Sequence, residues 1–369
     1  MPAQSLTSLM SFQPFGLLRF LMKYWKNVET DIGSSNMEGH NFSEFNHQIE
    51  DFELAWAYPF GDKSLRELIA KEYGVETKNV MVTVGASEAN FIVCLALLEK
   101  GDKVIVENPA YQTLAEIPRG LGFEIEVLER RYEDAFEFDL ARCLEMMRGG
   151  ARFAILCNPH NPTGVATSEN DLKEIAEMAE EQDSYILADE IFRDIMSEGR
   201  PPLSYSLSDR FIVTASISKV FGMGGLRLGW VIAQEDLIEK FEGVKEYISV
   251  ASATPSEQIA KLTFMNRKEL LERAWGFVQN NRPIVKGWIE SNECVECSTL
   301  GVVNFCFPKL IGVDEVQFGR VAAEKYKTLI APGRFFGLPS HFRLGYGMRT
   351  ESLEKGLENL SLALNETSS

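Results

Sequence analysis

Short apolar runs alternate with longer amphipathic segments through the middle of the chain. The run at 152–157 is apolar at almost every position, which is typical of a strand buried on both faces of a sheet. Segment 170–182 instead repeats its apolar residues at helical spacing. Strands separated by helices predict crossover connections and a mostly parallel sheet between layers of helices, an α/β fold. Strands are predicted at 79–84, 103–106, 124–128, 152–157, 185–188, 211–215 and 229–232, and helices at 65–73, 87–99 and 170–182.

The pattern changes near residue 257. Long helical segments are predicted at 258–278 and 282–290, and a few short strands and a last helix at 351–364 follow them. This order predicts a smaller α+β domain. A chain of 369 residues is long enough for two domains. We therefore expect a large three-layer αβα domain over 37–256 and a small domain built from 1–36 and 257–369.

The N-terminal segment 15–25 is apolar but contains Arg19 and Lys23, so it is too short and too charged to span a bilayer. Helical spacing places Leu18, Leu21, Met22 and Trp25 on one face. We interpret the segment as an amphipathic helix that lies with this face on the protein's own surface. The start of the chain also lacks the basic stretch, apolar core and cleavage site of a secretory leader. These features predict a cytoplasmic protein without a membrane partner.

Charge and cysteine usage exclude several classes of function. Acidic residues outnumber basic ones 54 to 37, which is unfavourable for a surface that binds nucleic-acid phosphates. The six cysteines are scattered, and several stand in apolar runs, as buried free thiols of a reducing compartment do. Cys294 and Cys297 form a lone CxxC without a second pair, and the four histidines lack ligand spacing, so no metal is expected.

Polar clusters follow five of the predicted strands. Ligands of open α/β sheets bind beyond the carboxyl ends of the strands, so these clusters are expected to meet around one ligand. The clusters stand at 85–87, 108–111, 158–161, 189–190 and 216–219.

The last cluster carries the most specific chemistry. Lys219 follows directly after a buried strand and two serines, and Arg227 stands eight residues later among glycines. A lysine that loses water at a strand end has a lowered pKa and a free amine that can act as a nucleophile. Ser216, Ser218 and Arg227 could bind a phosphate, because a guanidinium offers a planar pair of donors. The glycines at 222–225 have the wrong spacing for a dinucleotide site.

This segment resembles the Schiff-base signature of the class I and II aminotransferases, which are fold type I pyridoxal-phosphate enzymes. Other motifs of that family follow in its order from about residue 30 onwards. Taken singly, each has another interpretation: Asp189 is typical of an N-cap, 161–164 of a turn, and Arg343 of a surface ion pair. The agreement in order is more specific than any one motif. The motifs are 59–66 (entry helix), 108–111 (stacking aromatic), 158–164 (NPHNPTG), 188–190 (ADE) and 342–347 (FRLGYG).

The resemblance implies pyridoxal 5′-phosphate as cofactor and assigns the chemical roles. Lys219 would form the Schiff base and later move the proton at the substrate Cα. Asp189 would keep the pyridine nitrogen protonated, and Tyr111 would stack on the ring. The substrates would be an L-amino acid and a 2-oxo acid.

The resemblance also implies the binding residues. The backbone of Ala86 and Ser87, at a helix N-terminus, would meet the cofactor phosphate together with Ser216, Ser218 and Arg227. Asn161 would hydrogen-bond the ring hydroxyl group. Gly33, Asn161 and Arg343 would bind the substrate, with Arg343 pairing with its α-carboxylate.

Three positions depart from the family pattern. Phe192 stands where a tyrosine commonly donates to the ring oxygen, which implies a higher Schiff-base pKa than in a tyrosine-bearing relative. The tyrosine that a partner subunit lends to the phosphate corresponds to Trp56, with Tyr58 close enough to replace it. Segment 247–255 has no arginine to bind a side-chain carboxylate, which disfavours an aspartate or glutamate specialist.

Two alternatives stay open. Carbon–sulfur β-lyases and amino-acid cyclases carry similar motifs and differ in the step that comes after the carbanion has formed. Aminotransferase-like regulators bind DNA, but they carry a DNA-binding segment that is not evident here.

The family completes its site with a second subunit, so we expect a homodimer, with 12–25 packing across the interface.

Overall fold

The computed structural model describes residues 12–45, 49, 51–99, 101–196, 200 and 202–367. The first eleven residues of the segment assigned to the small domain, and His47, lie outside the described residues.

A twisted sheet forms the centre of the larger part of the chain. Its strands are ordered β2-β8-β7-β6-β5-β3-β4, and all neighbours are parallel except β8, which runs antiparallel to β2 and β7. The predicted mostly parallel α/β sheet is therefore confirmed. The strands of this sheet are β2 (Val80–Thr83), β3 (Lys103–Asn108), β4 (Glu124–Glu129), β5 (Ala151–Cys157), β6 (Tyr185–Asp189), β7 (Phe211–Ser216) and β8 (Gly229–Ile232).

Helices cover the faces of this sheet because each has one apolar side. In α6, for example, Leu172, Ile175 and Ala179 are buried at spacings of three and four residues. Ser168 caps its first turn by accepting a hydrogen bond from the backbone N–H of Asp171. The helices are α1 (Gly16–Tyr24), α2 (Lys63–Tyr73), α3 (Gly85–Leu97), α4 (Gln112–Gly120), α5 (Leu140–Arg148), α6 (Glu169–Glu181), α7 (Glu235–Lys245), α8 (Thr254–Met265), α9 (Arg267–Glu290), α10 (Glu315–Glu324) and α11 (Thr350–Thr367).

Short strands and the helices α9, α10 and α11 surround a second apolar core. Ile32, from the N-terminal part of the chain, packs in this core with Val285, Phe318 and Leu360. The core of the large sheet extends past residue 257, since Leu262 and Ala274 belong to it. The division into 37–256 and the remainder stays a prediction. The short strands are β1 (Thr30–Asp31), β9 (Val295–Glu296), β10 (Phe305–Cys306), β11 (Lys309–Leu310), β12 (Thr328–Leu329), β13 (Ala331–Pro332) and β14 (Phe342–Gly345).

The predicted break between helices at 278–282 is wrong. The chain breaks at Asn266, whose backbone leaves the helical conformation and whose Nδ2 donates to the Leu262 carbonyl group. Helix α9 then runs through Pro283 without a stop. Proline removes one helical hydrogen bond, but buried residues on both sides of it, such as Asn281 and Val285, hold this part of α9 against the second core.

The predicted packing face of the N-terminal helix is also wrong for three of its four residues, since only Leu21 packs against the buried apolar clusters. Leu17 and Tyr24 of α1 are buried, whereas Leu18, Met22 and Trp25 are 46%, 61% and 66% exposed. The segment is apolar on more than one side, so spacing alone could not show which side meets the protein. The exposed apolar face borders the candidate active site.

None of the described helices is long and apolar enough to cross a membrane. The cytoplasmic location stays a prediction.

Candidate active site

The polar clusters meet at the carboxyl edge of the central sheet. A cavity of about 500 Å3 opens there, beyond the ends of β6 and β7 and beside the start of α3. This is the place at which open α/β sheets bind ligands. Its lining includes Ala86, Ser87, Asn90, Tyr111, Asp189, Ser216, Ser218, Lys219 and Arg227.

The N-terminus of α3 and Arg227 form an anion site at one end of this cavity. Gly85 opens the helix with a φ of +76°, and a Cβ there would lie 2.5 Å from Nη2 of Arg227. A Cβ at Gly229 would lie 2.7 Å from the nitrogen of Ala86. Only glycines let the guanidinium and the first N–H groups of the helix approach so closely. Arg227 Nη1 also lies 3.5 Å from Oγ of Ser218.

Lys219 extends into the same cavity from the end of β7. Its Nζ donates to Oδ1 of Asn36 over 2.9 Å. Burial, and then the positive charge of Arg343, lower the pKa of Lys219 to about 8. The amine is therefore unprotonated in a larger fraction of molecules at neutral pH than an ordinary lysine, as a nucleophile or base requires.

Asp189 lies at the end of β6 and is 3% exposed. Its Oδ2 accepts a hydrogen bond from Nδ2 of Asn90 (3.0 Å), and its Oδ1 accepts one from the backbone N–H of Ile191 (3.3 Å). Burial raises the pKa of Asp189 to about 6, although both hydrogen bonds and Lys219 act in the opposite direction. At neutral pH this carboxylate can pair with a cationic ring nitrogen in the cavity.

Arg343 lies in β14 and reaches the site from the opposite side. Its Nε and Nη2 donate to the Gly33 carbonyl oxygen over 3.2 and 2.8 Å, and its Nη1 donates to Oδ1 of Asn161 over 2.9 Å. Burial lowers the pKa of Arg343 to about 10, so the guanidinium stays charged at neutral pH. Gly33 cannot be replaced easily, since a Cβ would lie 2.5 Å from the backbone of Ile330. The arrangement presents an oriented cation to a carboxylate.

A second cavity of about 230 Å3 adjoins the first and shares Trp25, Asn36, Tyr111 and Lys219 with it. The exposed face of α1 forms one wall, and Arg343 lies in the lining. Tyr111 packs edge-on against Phe15, with ring centroids 5.5 Å apart. The first cavity has the size and donors for a phosphorylated ring, and the second leads from Lys219 and Arg343 towards α1.

The structure brings together all but one of the residues predicted for the site. Tyr58 is the exception: it is 46% exposed and does not line either cavity, and neighbouring Trp56 is 77% exposed. Phe192 is fully buried and packs edge-on against Phe305, with ring centroids 4.9 Å apart. The two cavities bring together Ala86, Ser87, Tyr111, Asp189, Ser216, Ser218, Lys219 and Arg227, with Arg343 held by Gly33 and Asn161.

Three residues of the site were missed from the sequence: Asn90, Asn36 and Asp31. A lone amide within the apolar helix at 87–99 was a usable signal for Asn90, because a buried polar group needs a partner. Asp31 ends the two-residue strand β1 and Asn36 lies in the irregular segment after it, and their positions depend on pairing with β12 and β14, so their local pattern gave no signal.

The cofactor implied by the resemblance fits these residues. The glycine-lined helix N-terminus with Arg227 suits a phosphate group, and the buried acid Asp189 faces the cavity that also holds Lys219. Asp189 would hold the ring nitrogen, Tyr111 would cover the ring, and Lys219 would bond the aldehyde carbon.

Comparisons with known proteins give one consistent result. The family described as "Aminotransferase class I and II" matches residues 48–360. Capreomycidine synthase of Streptomyces vinaceus is 24% identical over 356 residues, covering 93% of this chain and 91% of that protein. An aspartate aminotransferase of Pyrococcus horikoshii is 27% identical over 323 residues, covering 82% and 81%. A PLP-dependent aminotransferase structure from Streptococcus suis superposes with a TM-score of 0.91 at 27% identity, covering 98% of this chain and 100% of that one.

Proposed function

Because the chain belongs to the class I and II aminotransferase family and is a pyridoxal-phosphate-dependent aminotransferase, we propose that Lys219 holds its cofactor and moves the transferred proton. The observation that carries this proposal is the position of Lys219. Its amine extends into the cavity lined by Asp189 and Arg227, and its pKa is lowered to about 8. These are the properties of a lysine that forms a Schiff base and then acts as a base.

The bound cofactor supplies an electron sink for the negative charge that forms at the substrate Cα. Lys219 Nζ would take the proton from this carbon and carry it to the aldehyde carbon of the cofactor. Asp189 keeps the ring nitrogen protonated, with Asn90 holding the carboxylate in place. Arg343 binds the α-carboxylate through its remaining N–H groups, which do not donate to Gly33 or Asn161. Since Asn161 Oδ1 accepts from Arg343, its Nδ2 is the group that donates to the ring oxygen.

We infer that the working unit is a homodimer in which Tyr58 serves the partner's phosphate site. Support comes from the exposure of Trp56 and Tyr58, which precede α2 and lie away from this chain's own cavities. Mixing a Lys219→Ala variant with a Tyr58→Ala variant should restore activity, since one site of the hybrid takes an intact residue from each chain. A monomer in sedimentation, together with no restoration in the mixture, would exclude this arrangement.

A cyclase or β-lyase reaction is the second candidate. It is supported by similarity to capreomycidine synthase over 91% of that protein's length. The two reactions differ in their products. Transamination leaves the amino group on the cofactor and releases a 2-oxo acid, whereas β-elimination expels the β-substituent and releases ammonia and pyruvate.

The experiment is an absorption spectrum of the purified protein between about 300 and 500 nm, before and after adding single amino acids. A yellow band that bleaches with a donor, with stoichiometric 2-oxo acid formed, is expected. Lys219→Ala should lose this response, and a matched change at the exposed Lys240 should keep it. A colourless protein that takes up no pyridoxal phosphate, or release of ammonia together with pyruvate, would contradict the transaminase role.

A further inference from the structure

The second cavity is placed to hold the substrate side chain. Arg343 and Lys219 both line it, and beside them the α-carboxylate and α-amino groups of a substrate would bind. The remaining space is bounded by the apolar face of α1, which includes Leu18, Leu21 and Met22. A side chain that extends away from Lys219 therefore passes along aliphatic groups, which favours an aliphatic stem.

Asp31 is the single carboxylate in the described lining of this cavity. Its Oδ1 accepts hydrogen bonds from the backbone N–H groups of Gly33 and Ser34, each over 3.0 Å. Within the part of the chain that the structure describes, no side chain donates a hydrogen bond to Asp31 or forms an ion pair with it. A half-buried carboxylate that has no side-chain partner is stabilised by a cationic group of a ligand.

The cations that line the cavity already have other roles. Arg343 is directed by Gly33 and Asn161 to the α-carboxylate position, and Lys219 is the reacting amine. A second carboxylate on the substrate would find Asp31 and no further cation among the described lining residues. A positive group on the substrate would instead find an acid that lacks a side-chain partner.

We propose that the amino donor is an L-amino acid whose aliphatic side chain ends in an amine or a guanidinium, and that Asp31 binds this positive group. The proposal rests on the aminotransferase function and adds the substrate class to it. Burial raises the pKa of the Asp31 carboxyl, while Arg343 and Lys219 act against that rise and favour the anion.

The first experiment compares substrates that differ only in charge. Arginine is paired with citrulline, and lysine with norleucine, each pair having similar length and shape. For the unaltered enzyme we expect kcat/KM to be about tenfold to a hundredfold higher for the charged member, which is the range for a hydrogen-bonded charged group. A ratio at or below one for both pairs overturns the inference.

The second experiment changes the charge of Asp31 alone. In Asp31→Asn, Oδ1 can still accept from Gly33 and Ser34, so the turn is retained while the negative charge is removed. The ratio of kcat/KM for arginine over citrulline should then fall by about tenfold or more. Asp314→Asn is the matched control, because Asp314 also accepts two backbone N–H bonds, from Val316 and Gln317, outside the cavities. An equal fall of the ratio in both variants, or none in Asp31→Asn, overturns the inference.

A binding measurement separates this inference from the aminotransferase function. Isothermal titration uses 5-guanidinopentanoate, which is arginine without its α-amino group, and hexanoate as the neutral comparison. Selective binding of the guanidino acid that Asp31→Asn abolishes supports the role of Asp31 even where turnover is lost. Turnover of neutral donors without this selectivity leaves the aminotransferase function intact and refutes the role of Asp31.

Discussion

The side-chain amide of Asn90 donates a hydrogen bond of 3.0 Å to Oδ2 of Asp189. Oδ1 of the same amide accepts a hydrogen bond of 2.7 Å from the hydroxyl group of Thr214, which fixes the orientation of the amide. All three side chains are buried. Asn90 thus holds the acid that the cofactor ring needs, five residues along α3 from Gly85 at the anion site.

Replacing Asn90 with alanine should impair the role of Asp189. The hydrogen bond from Asn90 lowers the pKa of Asp189, so its removal moves the acidic limb of the kcat/KM profile to higher pH. A lost bond to a charged group costs about 1.5–3 kcal/mol, so kcat/KM at neutral pH should fall by about tenfold or more. Thr214→Val should shift the limb in the same direction by less, because the amide stays but is oriented less well.

Asn79→Ala provides the control for this variant. Asn79 is also buried and donates from Nδ2, but to the Ala233 carbonyl oxygen at a distance from the cavity. Both variants should lose stability, and only Asn90→Ala should shift the acidic limb. If the pH profile of kcat/KM is unchanged in Asn90→Ala, Asn90 has only a structural role.

Most of the central sheet could be predicted because its signals are local. The run at 152–157 is apolar throughout, and the strand observed there, Ala151–Cys157, has six of its seven residues buried. The polar residues that end such strands, including Asp189 and Lys219, could be placed at one edge because parallel strands end together.

Features that depend on tertiary contacts could not be predicted in this way. Helix α1 has apolar residues on several sides, and only its contacts with the segments near Phe336 and Leu329 decide that Leu17 is buried and Met22 is exposed. Asp31 becomes a pocket residue because β1 pairs with β12, almost three hundred positions further along the chain. The role of Tyr58 cannot be assigned from one chain, since the phosphate site that it is proposed to serve belongs to a second subunit.

Phe192 allows a direct test of the ring-oxygen contact. Phe192 is buried against Phe305 and offers no donor, so Asn161 is left as the residue proposed to bind the ring oxygen. In Phe192→Tyr the new hydroxyl group should stabilise the deprotonated form, so the midpoint of the spectral pH titration of the bound cofactor should move to lower pH. Phe318→Tyr, in the second apolar core, tests for the general cost of burying a hydroxyl group. A midpoint that stays in place in Phe192→Tyr would count against the contact.

The lowered pKa of Lys219 predicts how its labelling depends on pH. With a pKa near 8, roughly one Lys219 amine in ten is unprotonated at pH 7, against roughly one in three thousand for an ordinary lysine. After removal of the cofactor, reductive labelling with pyridoxal phosphate and borohydride should rise as the pH increases through about 8 and then level off. Below this pH the amine is protonated and loses the lone pair that attacks the aldehyde. Peptide mass spectrometry measures the labelling of Lys219 and of the exposed Lys240 in the same digest, so Lys219 is compared with a lysine outside the cavities.

The charge of Arg343 is the second cause of the lowered Lys219 pKa, so it can be tested separately from burial. Arg343→Gln removes the positive charge beside the amine, and the labelling midpoint should then move to higher pH. Arg349→Gln is the matched control, because Arg349 is 70% exposed at its side chain and pairs with Glu38. If the midpoint is the same in both variants, the positive charge of Arg343 does not contribute to the reactivity of Lys219.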